Sequence, residues 1–234
     1  MAEELYRTVR GGEDTRGLGS LLPPGVVAIE ALGAIAPDAL FAAEQRVVLK
    51  AVESRRAEFA RGRSCARRAL AMLGKEPSSI LSDGSRAPIW PEGVVGSITH
   101  CRDYCSAALA TADRWSSIGI DAEVLRSFET GLERRIVLPA ERRQLDELDP
   151  AVAWECVVFS VKEAFYKAWF PLTRRWLDFH DVQVHLDPAR GRFAATLLVD
   201  EPSFPSQGPI EGSFCIDGPR VLAAVALPAI SITP

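Results

Sequence analysis

The sequence predicts an α+β protein made of two similar halves, each with helices followed by strands. A helical periodicity from residue 37 to about 73 precedes three short strand candidates, and a second helical pattern precedes a β-rich C-terminus. No sequence repeat is visible, but the repeated element order predicts two halves that meet near 121–130, with a ligand cleft between them. We therefore divide the chain into an N-terminal half, 1–121, and a C-terminal half, 122–234.

The first half begins with a polar, Gly- and Pro-bearing segment, 1–25, that we interpret as a loose lead-in. In the helical region that follows, Gly62 weakens continuity and could divide two helices. This region also concentrates positive charge that could hold a compact polyanion. The arginines concerned are Arg55, Arg56, Arg61, Arg63, Arg67 and Arg68.

The remaining elements follow from local patterns. A Pro-, Ser- and Gly-rich loop leads to three strand candidates, at 94–99, 105–111 and 117–123. A short charged helix starts at Leu138, and a long helix from about 151 to 170 is expected to stop before Pro171. The last predicted strands lie at 182–186, 193–199, 213–216 and 220–227.

Composition and charge exclude several classes of protein. The chain has 47% hydrophobic and 25% charged residues, which is ordinary for a soluble globular protein. No apolar run approaches the roughly 18 to 20 residues of a membrane helix, and the N-terminus lacks a signal-like apolar stretch. The net charge of −4 offers no basic field for nucleic acid. We expect a cytoplasmic protein with neither a membrane nor a nucleic-acid partner.

The five cysteines are an odd, widely spaced set, which suits reduced thiols better than a disulfide framework. Cys101 and Cys105 lie close together beside His100, so a zinc site has to be considered. No second Cys or His pair stands at zinc-site spacing, and this makes zinc the minor reading.

An alternating segment, 118–123, carries two acids on one face. In an extended chain Gly119, Asp121 and Glu123 point to one side, with the two carboxylates about 6.6 Å apart along the strand. Such a pair can converge on Mg²⁺, which prefers hard oxygen ligands, and Gly119 beneath it would leave room for a ligand. The alternative is a strand that runs out into a solvated acidic turn.

The long helix has charges opposite its apolar stripe. Glu163 and Lys167 are one turn apart on that side, and Lys162 flanks the stripe. The simple alternative is an exposed Glu–Lys pair. However, Phe159 and Tyr166 also lie on this side, which favours a covered face where the charges meet a phosphate or a metal.

Three ordered blocks resemble the signatures of phosphopantetheinyl transferases of the surfactin/enterobactin-synthetase type, and flanking segments resemble the monomeric actinobacterial branch. The blocks are Gly96-Ser-Ile-Thr-His-Cys101, Ile118-Gly-Ile-Asp-Ala-Glu123 and Lys162-Glu-Ala-Phe-Tyr-Lys-Ala-Trp169. The flanking segments are Arg55-Arg-Ala-Glu-Phe59 and Phe170-Pro-Leu-Thr-Arg-Arg-Trp-Leu177. The resemblance covers residues 45 to 185. It implies a pseudo-dimer of two α+β halves with coenzyme A in the cleft.

The resemblance also implies roles for individual residues. Asp121, Glu123 and Glu163 would coordinate Mg²⁺, with Mn²⁺ as a possible substitute, across the pyrophosphate of coenzyme A. Lys162 and Lys167 would contact the phosphates and the departing group. The other coenzyme A contacts would come from Arg55, Arg63, Arg86, Ser97, Thr99 and His100.

Some assignments stay open. Arg86 stands where the family often has a lysine. A helical wheel groups Arg56 with Arg63 and Arg67, whereas the family match favours Arg55 with Arg63; Arg61 and Arg68 are interpreted as solvated surface. The expected base for the acceptor serine is Glu163, acting directly or through a metal-bound water, with His100 as the rival, and Lys162 completes the expected catalytic group.

The implied reaction moves 4′-phosphopantetheine from coenzyme A to a serine of an apo acyl or peptidyl carrier domain of a fatty-acid, polyketide or nonribosomal peptide synthase, with release of 3′,5′-ADP. The carrier is expected to dock on residues 124–150. The alternatives are a Mg²⁺-dependent pyrophosphatase or nucleotide hydrolase, which the missing Walker A loop disfavours, and a module that binds coenzyme A or a carrier without turnover.

Overall fold

Two antiparallel sheets pack face to face, and each carries one long helix on its outer side. This arrangement comes from a computed structural model that describes residues 6–11, 17–33, 36–129, 131–204 and 208–229. The α+β class is confirmed, and the two sheet-and-helix halves correspond to the expected pseudo-dimer.

The first half contains a sheet of strand order β1-β2-β4-β3 and two helices. Its elements are β1 (Tyr6–Arg10), β2 (Val27–Leu32), α1 (Ala42–Val47), α2 (Glu53–Met72), β3 (Val94–Cys101) and β4 (Tyr104–Thr111).

The second half has a sheet of order β5-β9-β8-β7-β6. Its elements are β5 (Trp115–Val124), α3 (Pro139–Leu145), α4 (Trp154–Thr173), β6 (Val182–Asp187), β7 (Arg192–Leu197), β8 (Ile210–Asp217) and β9 (Arg220–Pro228). β5 pairs with β9 along its length, so the predicted boundary at 121/122 falls inside one strand and remains a prediction.

Alternation along the strands divides the core into layers. In β4, Cys105, Ala107 and Leu109 pack under α2, whereas Tyr104 and Ala108 face the second sheet. In β5, residues 118, 120 and 122 line the layer between the sheets, so the opposite face of this strand is turned toward α4. The sequence pattern of 118–123 therefore assigned the two faces correctly.

Two expectations for the first half are wrong. The lead-in 1–25 contains β1, which pairs with β2, a strand that the sequence analysis did not predict. Helix α2 runs unbroken through Gly62, because this glycine packs against β3: a Cβ there would lie 3.0 Å from Ile98 Cγ2. The helical region is divided at 48–52 instead, between α1 and α2.

The long helix does not stop at Pro171 but continues to Thr173. The proline lacks the N–H that would bind the carbonyl of Lys167, so the last turn of the helix forms with one backbone hydrogen bond fewer. The chain leaves the helix at Arg174, which has a left-handed conformation (φ 55°) and donates its N–H to the carbonyl of Phe170. In the part of the chain that the structure describes, no helix has the length and apolar character to cross a membrane.

Candidate active site

A cavity of about 420 Å³ lies between the two halves. Its walls come from the start of α2, the loop 85–90, the strands β3 and β5, and the exposed face of α4. Ten of the eleven residues predicted to bind coenzyme A or the metal line this cavity, and the exception is Lys162. The ten are Arg55, Arg63, Arg86, Ser97, Thr99, His100, Asp121, Glu123, Glu163 and Lys167.

Close backbone packing of α4 on β5 forms the floor of this cavity. A Cβ at Gly119 would lie 1.9 Å from the carbonyl oxygen of Ala164 and 2.7 Å from the nitrogen of Ala168. The expectation that Gly119 leaves room for a ligand is therefore wrong, because the helix backbone fills that space. The same close approach brings side chains of α4 within reach of Asp121.

Asp121 is the best-connected acid of the site and is only 3% exposed. Its Oδ1 accepts from Lys167 Nζ at 2.7 Å and from Thr99 Oγ1 at 3.3 Å, while its Oδ2 accepts from Ser160 Oγ at 2.9 Å. The carboxylate is thus held by residues from β3 and α4 at once. Its charge is balanced in part by the Lys167 ammonium.

The negative charges of Glu123 and Glu163 are balanced less well than that of Asp121. Burial, reinforced by the neighbouring charge of Asp121, raises the pKa of Glu123 to about 7, although Lys167 opposes the shift. Burial also raises the pKa of Glu163, again with Lys167 opposing and Asp121 adding to it. Three acids on one cavity wall with one ammonium among them leave an excess of negative charge that favours a cation.

The donor chemistry of this wall suits magnesium, since all its acids supply hard oxygens. Among the described residues, no group of three or more His, Cys, Asp or Glu side chains is arranged to hold a metal ion without further ligands. A site with few carboxylates that is completed by phosphate oxygens and water is typical of Mg²⁺. Asp121, Glu123 and Glu163 fit that kind of site.

Lys162, expected to contact phosphates, lies elsewhere. Its Nζ is buried in the second half and donates to Glu141 Oε2 at 2.9 Å and to the carbonyls of Ile136 at 2.8 Å and Phe179 at 2.7 Å. Three acceptors exhaust the ammonium's donors. The structure therefore contradicts its assignment to the cavity: Lys162 points toward α3 because it lies on the far side of α4 from Lys167.

His100 stands at the end of β3, opposite the first turn of α2. Its Nε2 lies 3.2 Å from Arg55 Nη1, so the neutral ring accepts a hydrogen bond from that guanidinium. Loss of hydration lowers the pKa of His100; Glu58 opposes this shift, whereas Arg55 and Lys167 add to it. Arg55, and not Arg56, lies on the cavity wall, so the structure favours the family match over the helical wheel.

Arg63 is 6% exposed and fixes the loop that enters the cavity. Its Nε donates to the carbonyl of Ile80 and its Nη2 to Ser82 Oγ, both at 2.9 Å, and the guanidinium lies 3.9 Å from the ring centre of Phe59. Burial lowers its pKa to about 10. Arg86 sits on the same loop in a left-handed conformation (φ 69°).

Ser97 and Thr99 have a structural use within the cavity wall. Ser97 Oγ accepts from the N–H of Ile120 at 3.3 Å, and Thr99 Oγ1 accepts from the N–H of Ala122 at 3.0 Å. β5 is an edge strand of its sheet, and these hydroxyls bind the N–H groups that a neighbouring strand would otherwise pair. These hydrogen bonds between β3 and β5 join the two halves of the protein.

Three other arginines of α2, Arg61, Arg67 and Arg68, are bound within the first half. Arg67 makes a buried ion pair with Glu44, whose Oε1 also accepts from the N–H of Ile80. Arg61 donates to the carbonyl of Gly33, and Arg68 pairs with Asp38. The interpretation of Arg61 and Arg68 as solvated surface is therefore wrong, because the segment preceding α1 folds back over this helix.

Two family models match the chain. The 4′-phosphopantetheinyl transferase N-terminal domain matches residues 43–110, and the 4′-phosphopantetheinyl transferase superfamily matches residues 117–219. The transferase Npt of Nocardia iowensis is 40% identical over 219 residues, which cover 88% of this chain and 98% of that protein. The chain belongs to this family. It is a 4′-phosphopantetheinyl transferase, and the resemblance noted in the sequence is confirmed.

Two other relatives of the transferase support the assignment. The 4′-phosphopantetheinyl transferase PptT of Mycobacterium tuberculosis is 39% identical over 191 residues, 79% of this chain and 84% of that protein. The 4′-phosphopantetheinyl transferase Svp of Streptomyces mobaraensis is 43% identical over 182 residues, 76% of this chain and 71% of that protein. These relatives support the transfer of phosphopantetheine from coenzyme A to a carrier protein as the activity of this chain.

Sequence reasoning missed several residues that line the transferase cavity or support it from behind. Ser160 contacts Asp121, Arg174 reaches the cavity after the left-handed turn that ends α4, and Trp90 lines the loop wall. Ser160 had one detectable signal, a polar residue inside a predominantly apolar helical segment. Arg174 belongs to the segment 170–177 that resembles the family, but its direction could not be predicted because it depends on how the helix ends beyond Pro171.

Proposed function

We propose that the transfer is magnesium-dependent and releases 3′,5′-ADP, with the reaction centre at the meeting of β5 and α4. The observation that carries this proposal is the group of Asp121, Glu123 and Glu163 on one cavity wall, with Lys167 on Asp121 Oδ1. In the reaction, the serine oxygen of the carrier attacks the β-phosphorus of coenzyme A. The phosphorus–oxygen bond to 3′,5′-ADP breaks as the new bond forms.

Asp121, Glu123 and Glu163 would hold Mg²⁺, or Mn²⁺ in its place. The bound ion would neutralise the pyrophosphate, a contribution of several kcal/mol to stabilising the transition state. Lys167 supplies a fixed positive charge beside these acids, where it would stabilise the phosphates and the departing group. Lys162, bound by three acceptors in the second half, has no part in this proposal.

The opposite wall suits the nucleotide end of coenzyme A. Arg55 and His100 are within hydrogen-bond distance of each other. Arg63, which is only 6% exposed, and Arg86, on the loop 85–90, also line the cavity. Guanidinium groups bind phosphates through paired donors. We assign the 3′-phosphate to Arg55, His100 and Arg86, with Arg63 holding the loop and adding charge; Ser97 and Thr99 position β5 beside it.

Glu163 is the proposed base for the acceptor serine. It lies on the cavity side of α4, one turn from Lys167, next to the acids that would bind the reacting phosphate. His100 is the rival, but its Nε2 already accepts a hydrogen bond from Arg55 Nη1. This contact suits a histidine that helps bind the nucleotide.

The proposed partners are apo acyl and peptidyl carrier domains of fatty-acid, polyketide or nonribosomal peptide synthases. We propose docking on residues 124–150, which follow β5 directly. There Arg134, Arg135 and Arg143 are exposed beside Leu132, whereas Arg142 is engaged with Glu133. Acidic helical carriers would be attracted by such a patch. We further propose that the enzyme acts as a monomer in the cytoplasm, where its five free cysteines stay reduced.

One assay tests this function. Purified protein is incubated with coenzyme A, Mg²⁺ and a panel of apo-carriers, and the carriers are analysed by mass spectrometry. We expect stoichiometric gain of phosphopantetheine, loss of activity with a chelator, and equimolar 3′,5′-ADP. Release of 3′,5′-ADP without a carrier would indicate a hydrolase, and binding of coenzyme A without any mass shift would indicate a module without turnover.

A variant in which Arg134, Arg135 and Arg143 are replaced by Glu tests the docking surface in the same assay. The KM for the carrier should rise, while the KM for coenzyme A stays unchanged. The reverse pattern would remove this surface from the proposal without affecting the chemistry.

A further inference from the structure

Ser160 is a fully buried polar residue in the middle of α4, with 0% of its surface exposed. Its helical neighbours Val157, Val161 and Ala164 belong to the apolar core of the second half. A hydroxyl in such a place is costly unless it is hydrogen-bonded. Its bond to Asp121 Oδ2, at 2.9 Å, meets that requirement.

The reach of Ser160 follows from the packing of α4 on β5. Gly119 lies against Ala164 with no space for a side chain, so helix and strand are in backbone contact there. Ser160 precedes Ala164 by one helical turn, and Asp121 follows Gly119 by one strand repeat. A short side chain therefore spans the gap between the two elements.

The two oxygens of Asp121 have different partners. Oδ1 accepts from Lys167 Nζ and Thr99 Oγ1, which both line the cavity, whereas Oδ2 accepts from Ser160 in the core. With Oδ2 fixed from behind, rotation of the carboxylate about its terminal bond is restricted. Oδ1 is kept turned toward the cavity.

We infer that Ser160 is a positioning residue that orients Asp121 for binding a divalent cation. This inference rests on the proposed magnesium site and adds to it the residue that sets its geometry. Ser160 itself does not line the cavity. Hydrogen-bonded partners behind a metal ligand commonly change metal affinity by about 10- to 100-fold when they are removed.

The experiment measures binding of Mn²⁺ in the presence of coenzyme A by electron paramagnetic resonance of the free ion. Ser160→Ala and Ser160→Cys should bind Mn²⁺ about 10-fold more weakly than the unaltered enzyme, and Ser160→Thr, which keeps the hydroxyl, should bind it within about 3-fold. In turnover assays, the Mg²⁺ concentration for half-maximal rate should rise in parallel for the Ala and Cys variants. Their KM for the carrier should stay unchanged.

Ser64→Ala is the matched control, because Ser64 is a serine of α2 that is also 0% exposed and hydrogen-bonded. This variant should lose stability but bind Mn²⁺ normally, which separates a general cost of removing a buried hydroxyl from a specific effect on the metal. Cys nearly matches Ser in volume, so it keeps the comparison valid if Ala unfolds.

The outcomes separate this inference from the function on which it rests. If the unaltered enzyme binds no Mn²⁺ with coenzyme A, the magnesium proposal fails. If it binds Mn²⁺, and the Ala and Cys variants bind equally well, or Thr loses as much affinity as Ala, then Ser160 has only a structural role and the inference is overturned.

Discussion

Arg174 donates a hydrogen bond to Asp83 and so joins the end of α4 in the second half to the loop 82–88 of the first. The other oxygen of Asp83 accepts from the N–H groups of Ser85 and Ala87, both at 2.9 Å. One carboxylate thus shapes the loop that carries Arg86 and fastens it to the opposite side of the cavity. Both arginines line the cavity.

Replacing Asp83 by Ala should loosen this loop and weaken the binding of coenzyme A. An exposed ion pair contributes up to about 1 kcal/mol, so we expect the KM for coenzyme A to rise about 5-fold with kcat nearly unchanged. Steady-state kinetics measure both constants. Asp187→Ala is the control, since it removes an exposed pair with Arg190 outside the cavity; an equal rise in that variant would contradict the role of the loop.

Asp121→Ala and Glu163→Ala should each reduce carrier modification by about 100-fold or more, because each removes a proposed metal ligand. Carrier mass shift measures the rate, and circular dichroism checks that the fold is retained. Glu211→Ala, on an exposed acid of β8 outside both the cavity and the proposed docking surface, is the control and should keep full activity. Full activity of either active-site variant would remove that acid from the mechanism.

His100→Ala distinguishes nucleotide binding from base catalysis. If His100 pairs with Arg55 to bind coenzyme A, the KM for coenzyme A should rise and kcat should change little. Initial rates over a range of coenzyme A concentrations provide the test. A large fall in kcat at unchanged KM would instead favour His100 over Glu163 as the base.

Lys162 and Lys167 should respond differently to the same substitution. Lys162→Met leaves Glu141 buried without its ion-pair partner, so the free energy of unfolding should fall by about 3 to 5 kcal/mol. Lys167→Met, at a side chain that is 28% exposed and lines the cavity, should lower stability less, because Asp121 keeps its hydrogen bonds from Thr99 and Ser160, and should reduce kcat strongly. Denaturant unfolding and carrier modification measure the two effects. A stable, inactive Lys162→Met enzyme would return Lys162 to the active site.

Gly119→Ala tests the contact that positions the site. The added methyl would sit 1.9 Å from the carbonyl oxygen of Ala164, so α4 must move away from β5. Overpacking of this kind costs about 1 to 3 kcal/mol or more, and activity should fall as Lys167 and Ser160 move away from Asp121. Gly208→Ala, where a Cβ meets no described atom within 4 Å, serves as the control. Thermal melting and carrier modification would show whether the two variants differ.

Regular patterns were predicted well from the sequence, and long-range partners were not. The β3, β4 and β5 strands and the face of β5 that carries Asp121 follow from alternation with a period of two. β2 was missed because it holds Glu30, which is 1% exposed in the middle of the strand. This acid is tolerated because Tyr104 Oη donates to it at 2.9 Å and the N–H of Gly19 at 3.3 Å, both from residues distant in the chain.

The sequence by itself determined the family and the two-half architecture, and it singled out the three acids that we propose as metal ligands, since motifs and element order depend on local residue order. Only the tertiary structure decided which charges share the cavity. The helical period predicts that Lys162 and Lys167 point to different sides of α4. It does not predict which residues each of them contacts. The packing of α3 against one side directs Lys162 to Glu141. On the other side of α4, the close contact at Gly119 brings Lys167 and Ser160 to Asp121. Each of these buried polar groups needs a hydrogen-bond partner, because a buried charge or hydroxyl without one is costly.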